Sequence, residues 1–186
     1  MSKRLLCILF LINKKHTKMK KILILFLSSL VIISCGEKSA KSEKELLTEQ
    51  TRTTVLKAFN AQMEGKIDIM ESLLADDFTF TLTGQLDISK TYTWDEYLEF
   101  AGYFATLLKG EIGVEYKGII ADERSAMVFA QGRMAGVGGK YENDYAIKYD
   151  LNQAGQIISQ KEYLSDILLA TQLYGQEVCG DKKLLN

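Results

Sequence analysis

From residue 46 onward the apolar positions change period along the chain. Val55, Leu56, Phe59 and Met63 fall three to four apart, which predicts a helix over about 46–64 that Gly65 ends. Ile67, Met70, Leu73 and Leu74 predict a second, short helix over 67–75, with Asp76 and Asp77 closing it and opening a strand. Phe78-Thr79-Phe80-Thr81-Leu82-Thr83-Gly84 then alternates strictly, the pattern of a strand with one buried face. Thr93 with Glu96 three residues on has the form of a capping box, and Tyr97, Leu98, Ala101, Phe104, Ala105 and Leu108 carry that helix to Gly110. Four strand-like stretches follow, about 112–120, 125–136, 141–151 and 156–165, and a short helix is expected near 166–174. The chain has no proline, so its turns rest on residues such as Gly138-Gly139 and Asn152-Gln153-Ala154-Gly155. Helices first and strands later predict an α+β domain. A strongly curved, mainly antiparallel sheet would wrap on about three N-terminal helices in a cone, with a pocket between them.

The first 34 residues have a different pattern. Met19-Lys20-Lys21 precedes an apolar run from Ile22 to Ile33, and no acidic residue occurs before Cys35. A basic cluster followed by an apolar stretch of this length is the layout of a signal peptide, and the run is short for a transmembrane helix, which needs about 20 apolar residues. Ile32-Ile33-Ser34-Cys35-Gly36 resembles the bacterial lipobox. That resemblance implies lipidation of Cys35, cleavage before it and anchoring to the membrane of a bacterial cell envelope. Gly36 in place of Asp points to the outer membrane. A single acyl chain holds a protein only marginally, so more than one is needed. Met19 is the expected start, residues 1–34 an extension plus signal, and 35–45 the lipidated cysteine and a flexible tether. The domain is expected over 46–175, with a tail at 176–186.

Cutting at Cys35 changes the charge. It removes seven of the 23 basic residues and none of the 24 acidic ones, leaving a formal charge of −8. A domain this acidic repels phosphate backbones, so no nucleic-acid partner is expected. The only histidine, His16, leaves with the signal, and Cys179 is then the one free thiol. No zinc cluster, disulfide, metal or cofactor is implied.

Two stretches carry a wider resemblance. The first is Ala61-Gln62-Met63-Glu64-Gly65-Lys66-Ile67-Asp68 with Leu74-Ala75-Asp76-Asp77-Phe78. The second is Tyr141-Glu142-Asn143-Asp144-Tyr145 with Gly155-Gln156-Ile157-Ile158 and Glu162-Tyr163-Leu164-Ser165-Asp166. They resemble the nuclear transport factor 2-like superfamily, and the second resembles its SnoaL-like branch. That superfamily hosts isomerases, cyclases, hydratases and non-enzymes, so the resemblance implies a fold more than a reaction. Aligned on the ketosteroid isomerases, the positions of the oxyanion tyrosine, the base and the protonated aspartate fall on Ala58, Leu82 and Ile147. That isomerase chemistry is therefore not carried over.

The same register turns Asn143, Tyr145, Ile147 and Tyr149 toward the concave side, and with them Gln160, Glu162, Leu164 and Asp166. Glu162 is the candidate general base and Asp166 the second carboxyl. Tyr97, Tyr103 and Phe104, with Trp94 and Phe100, are expected in core and pocket wall. Against a catalytic role, Glu162 could pair with a Lys or Arg, or accept from tyrosine hydroxyls, and merely satisfy a polar pocket. Three readings stay open. One is a pocket for a small, mostly apolar ligand with no known catalytic set. The second is a cofactor-free acid–base enzyme using Glu162 and Asp166. The third is a homodimeric module built on the outer sheet face.

Overall fold

The computed structural model describes residues 41–177. The expected signal segment, Cys35, most of the expected tether and Cys179 lie outside the described residues. Helix α1 (Glu43–Met63) starts before the expected Leu46. Ser42 and Glu45 build a capping box, in which the Ser42 N–H donates to the Glu45 carboxylate at 2.7 Å and the Glu45 N–H donates to Ser42 Oγ. Val55, Ala58 and Phe59 form its buried face, and Gly65, at φ 66°, turns the chain out of it.

Helix α2 (Ile67–Glu71) is shorter than its apolar spacing suggests, because Leu74 and Ala75 belong to β1 (Leu74–Leu82). The Ile157 N–H donates to the Leu73 carbonyl at 2.9 Å, and Leu74 stands opposite Ile157. Sheet pairing with a distant segment overrides the local helical pattern here. Asp76 and Asp77 neither cap α2 nor mark the strand's start. They lie exposed inside β1, where its register shifts between Leu74 and Thr79.

A two-residue strand, β2 (Thr91–Tyr92), precedes α3 (Trp94–Leu107), which opens on the Thr93–Glu96 capping box. This helix stops before Gly110, which lies at φ 82° inside β3 (Lys109–Ala121). Strand β4 (Ser125–Gly136) follows. The stretch expected as one strand over 141–151 is two, β5 (Gly139–Tyr141) and β6 (Asp144–Leu151). Asn143 holds the break: its amide bridges the backbone N–H and carbonyl of Ser165. Strand β7 (Ile157–Tyr163), a short α4 (Asp166–Leu168) and one wide helical turn over Leu169–Leu173 complete the domain.

The curved, unclosed sheet has the order β2-β1-β7-β6-β4-β3, with β5 on β4. Every pairing is antiparallel except β1 with β7. The domain is thus α+β, with the helices packed on the inner sheet face. That face supplies Phe80, Val128, Ile147, Tyr149 and Ile157 to the core. Among the described residues no helix is long and apolar enough to cross a membrane.

Candidate functional site

A cavity of about 230 Å³ opens between α1, α3 and the inner sheet face. Its wall is aromatic on several sides. Phe59 comes from α1, Phe80 from β1, Tyr97, Phe100 and Phe104 from α3, and Tyr145 from β6. The rings brace one another: Phe80 and Tyr97 lie 4.6 Å apart between centroids, and Phe100 and Phe104 6.1 Å. Helical spacing on α3 produces this, since residues three and four apart share a face.

One charged side chain lines the cavity, Glu162. It sits on β7 with Leu82 of β1 opposite on one side and Ile147 of β6 on the other. Those are the two positions where the resemblance to ketosteroid isomerases would put carboxyl groups, so this chain carries its carboxyl on the strand between them. Gln160 Nε2 donates to Glu162 Oε1 at 3.1 Å and to Gln62 Oε1 at 3.2 Å, and Gln62 Nε2 donates to Tyr97 Oη at 2.7 Å. The ion pairs among the described residues do not involve Glu162.

Glu162 is half-buried in the cavity wall, with protein groups crowded around its carboxyl. That burial pushes the carboxyl up to about 7, against the pull of the Gln160 and Gln62 amides toward the ionised form. Four tyrosines surround it, Tyr97, Tyr141, Tyr145 and Tyr149. Burial raises each of them, and the negative charge on Glu162 adds to the effect. Tyr145 Oη donates to Tyr141 Oη at 3.1 Å, while Tyr149 Oη and Gln160 Oε1 are buried without a hydrogen-bond partner.

Of the residues named from the sequence, Tyr97, Phe104, Tyr145 and Glu162 meet on this wall. Gln160 and Tyr149 stand behind it, fully buried and opposite each other across β7 and β6. Asn143 is also buried, but as the splint to Ser165 and not as a pocket residue. Leu164 packs on the core without lining the cavity. Tyr103 is 52% exposed and lies beside Tyr174, because it points off the opposite side of α3.

Asp166 does not join Glu162 on the wall. Strand β7 ends at Tyr163, so the alternation that would turn Asp166 inward has already stopped. Its Oδ2 accepts from the Gln85 N–H at 2.7 Å, and its carboxylate lies against Gly84, where a side chain would collide with it. Asp166 clamps the turn after β1. Sequence reasoning missed Gln62, a polar residue on the inner face of α1; its spacing of three from Phe59 was the available signal. Among the described residues no cluster of His, Cys, Asp and Glu could hold a metal ion.

No family model and no curated protein matches the sequence. Solved structures share the fold. A nuclear transport factor 2-like protein of unknown function from Burkholderia pseudomallei superposes with a TM-score of 0.60 at 15% identity, over 67% of this chain and 97% of that one. The BvnE pinacolase from Penicillium brevicompactum gives 0.59 at 15% identity, over 72% and 93%. Bal32a, from a soil-derived mobile gene cassette, gives 0.59 at 15% identity, over 68% and 96%. These likenesses define the fold: the chain has the nuclear transport factor 2-like architecture of a curved sheet wrapped on N-terminal helices.

Proposed function

We propose that this chain is a lipid-anchored envelope protein whose domain binds a small, mostly apolar molecule in the cavity above Glu162. The observation that carries the binding reading is an aromatic cavity with one carboxyl at its wall. Apolar pockets with a few placed polar groups are the general form of small-molecule sites. At about 230 Å³ the cavity suits a small ligand, since one of about 150 Å³ already holds benzene. The test is calorimetric titration of the full chain with 2-phenylethanol. One site is expected in the wild type and none in Ala101→Phe, which fills the cavity from α3. Equal binding by both proteins would refute the reading. The anchor reading rests on the segment Ile32 to Gly36. Radiolabelled fatty acid should enter the wild type and not Cys35→Ser.

A second reading is a cofactor-free acid–base enzyme. What favours it is a carboxyl raised to about 7, the range in which one group both takes and returns a proton near neutrality. Glu162 would then act alone, with Tyr97 and Tyr145 holding the substrate. Deuterium exchange into the benzylic position of phenylacetone, followed by NMR, should be accelerated by the wild type and lost in Glu162→Gln. Exchange that survives the substitution would remove this reading.

A further inference from the structure

We propose that the occupant of the cavity is a small organic cation, an amine whose ammonium group pairs with Glu162 and whose apolar body lies among the aromatic rings. This rests on the pocket reading above and names the ligand class for it. Four observations carry it.

The first is charge balance. Glu162 is the only charged residue on the wall, and it takes part in no ion pair among the described residues. A shielded carboxylate without a counter-charge is costly, and a ligand that supplies the missing positive charge recovers that cost. An anionic ligand would add a second negative charge and meet no Lys or Arg on the wall.

The second is the wall itself. The faces of Phe, Tyr and Trp attract cations within about 6 Å of a ring centroid. Here Phe59, Phe80, Tyr97, Phe100, Phe104 and Tyr145 reach the cavity from α1, β1, α3 and β6.

The third is hydrogen bonding. An ammonium has only donors, and the polar atoms on this wall can accept. They are the Glu162 oxygens and the hydroxyl oxygens of Tyr97 and Tyr145, while Gln62 spends its carbonyl oxygen on Gln160 Nε2 and its amide N–H on Tyr97. Tyr145 already spends its proton on Tyr141, which leaves its oxygen free to accept.

The fourth is the long-range field. Residues 35–186 carry a formal charge of −8, which draws cations toward the domain.

The proposal makes binding depend on the ionised state of Glu162. The titratable groups that face it are Tyr97 from α3, Tyr141 from β5, and Tyr145 and Tyr149 from β6. α1 presents the neutral Gln62, and β1 the apolar Leu82. Burial keeps all four tyrosines neutral well above pH 8, so Glu162 alone titrates between pH 6 and 8. With its carboxyl at about 7, the ionised fraction, and with it the affinity for a cation, rises about tenfold over that interval.

Calorimetry on the full chain with 2-phenylethylamine, 2-phenylethanol and phenylacetate tests this. These probes share a ring and a short arm and differ in charge. At pH 8 the amine should bind at least tenfold more tightly than the alcohol, and phenylacetate should bind least. The amine's advantage over the alcohol should shrink about tenfold at pH 6 and vanish in Glu162→Gln. If Glu162→Gln folds poorly, the pH dependence of the wild type decides alone. An alcohol that binds as tightly as the amine at pH 8 overturns the cation assignment and leaves the pocket reading standing. Failure of all three probes at millimolar concentration sinks both.

Discussion

Replacing Glu162 with Gln isolates the cost of keeping this carboxyl away from water. Gln has nearly the same shape and retains an oxygen that can accept from Gln160 Nε2. What it removes is the ionisable proton. The carboxyl rises from its ordinary 4.5 to about 7 in the folded state, so between those values the folded chain holds a proton that the unfolded chain has released. Stability therefore falls as pH rises through this window, and above pH 7 the full penalty is present, about 3 kcal/mol. Below pH 4.5 both states are protonated and the penalty is gone. Glu162→Gln should accordingly match the wild type at pH 4.5 and exceed it by up to about 3 kcal/mol at pH 8, a rise in Tm of roughly 10 °C for a domain of this size. Urea melts of both proteins from pH 4.5 to 8.5, without ligand, measure the difference directly. A gap that does not change with pH would show that Glu162 is not held above its ordinary value, and the burial argument would fail.

Other sites give sharper single outcomes. In Gly138→Ala the new methyl meets the Thr171 carbonyl oxygen, where the hairpin tip docks on the last helical turn. A loss of about 1–3 kcal/mol is expected in chemical denaturation. Asp166→Ala frees the Gln85 N–H from its acceptor and should cost about 1–2 kcal/mol. It should leave the affinity for 2-phenylethanol unchanged, whereas an affinity loss would return Asp166 to the site. The outer sheet face exposes Ile120, Phe129 and Tyr163, a surface suited to a second copy of the chain. Light scattering at micromolar concentration should find a dimer that Phe129→Glu dissociates, and a wild-type monomer would count against that pairing.

What could be read from the sequence follows how local each feature is. The Thr93–Glu96 capping box is complete within four residues, so the start of α3 was visible in advance. On β7 the register implied by the family resemblance, carried along by the two-residue period, placed Glu162 on the concave side, where it lines the cavity. The end of α2 was not visible, because Leu74 is drawn into the sheet by Ile157, a residue from the far end of the domain. Asp166 was misplaced by carrying the strand period past Tyr163, where the chain turns to reach Ser165 and α4. Tyr103 shows the limit of composition: aromatic residues crowd α3, and only the packed helix tells which of its sides meets the cavity.

The one parallel pairing in the sheet has a consequence for how the molecule is built in time. Strand β1 lies beside β7, and Thr83 Oγ1 reaches the Glu162 carbonyl across 79 residues of chain. Contacts this distant in sequence form late, after the entropy of closing a long loop has been met. Phe59 and Phe80, made early in synthesis, therefore wait for nearly the whole domain to follow before the cavity around them can close. A chain made only through β6 can pair β3, β4 and β6, but it cannot join β1 to them or close the cavity until β7 arrives between the two.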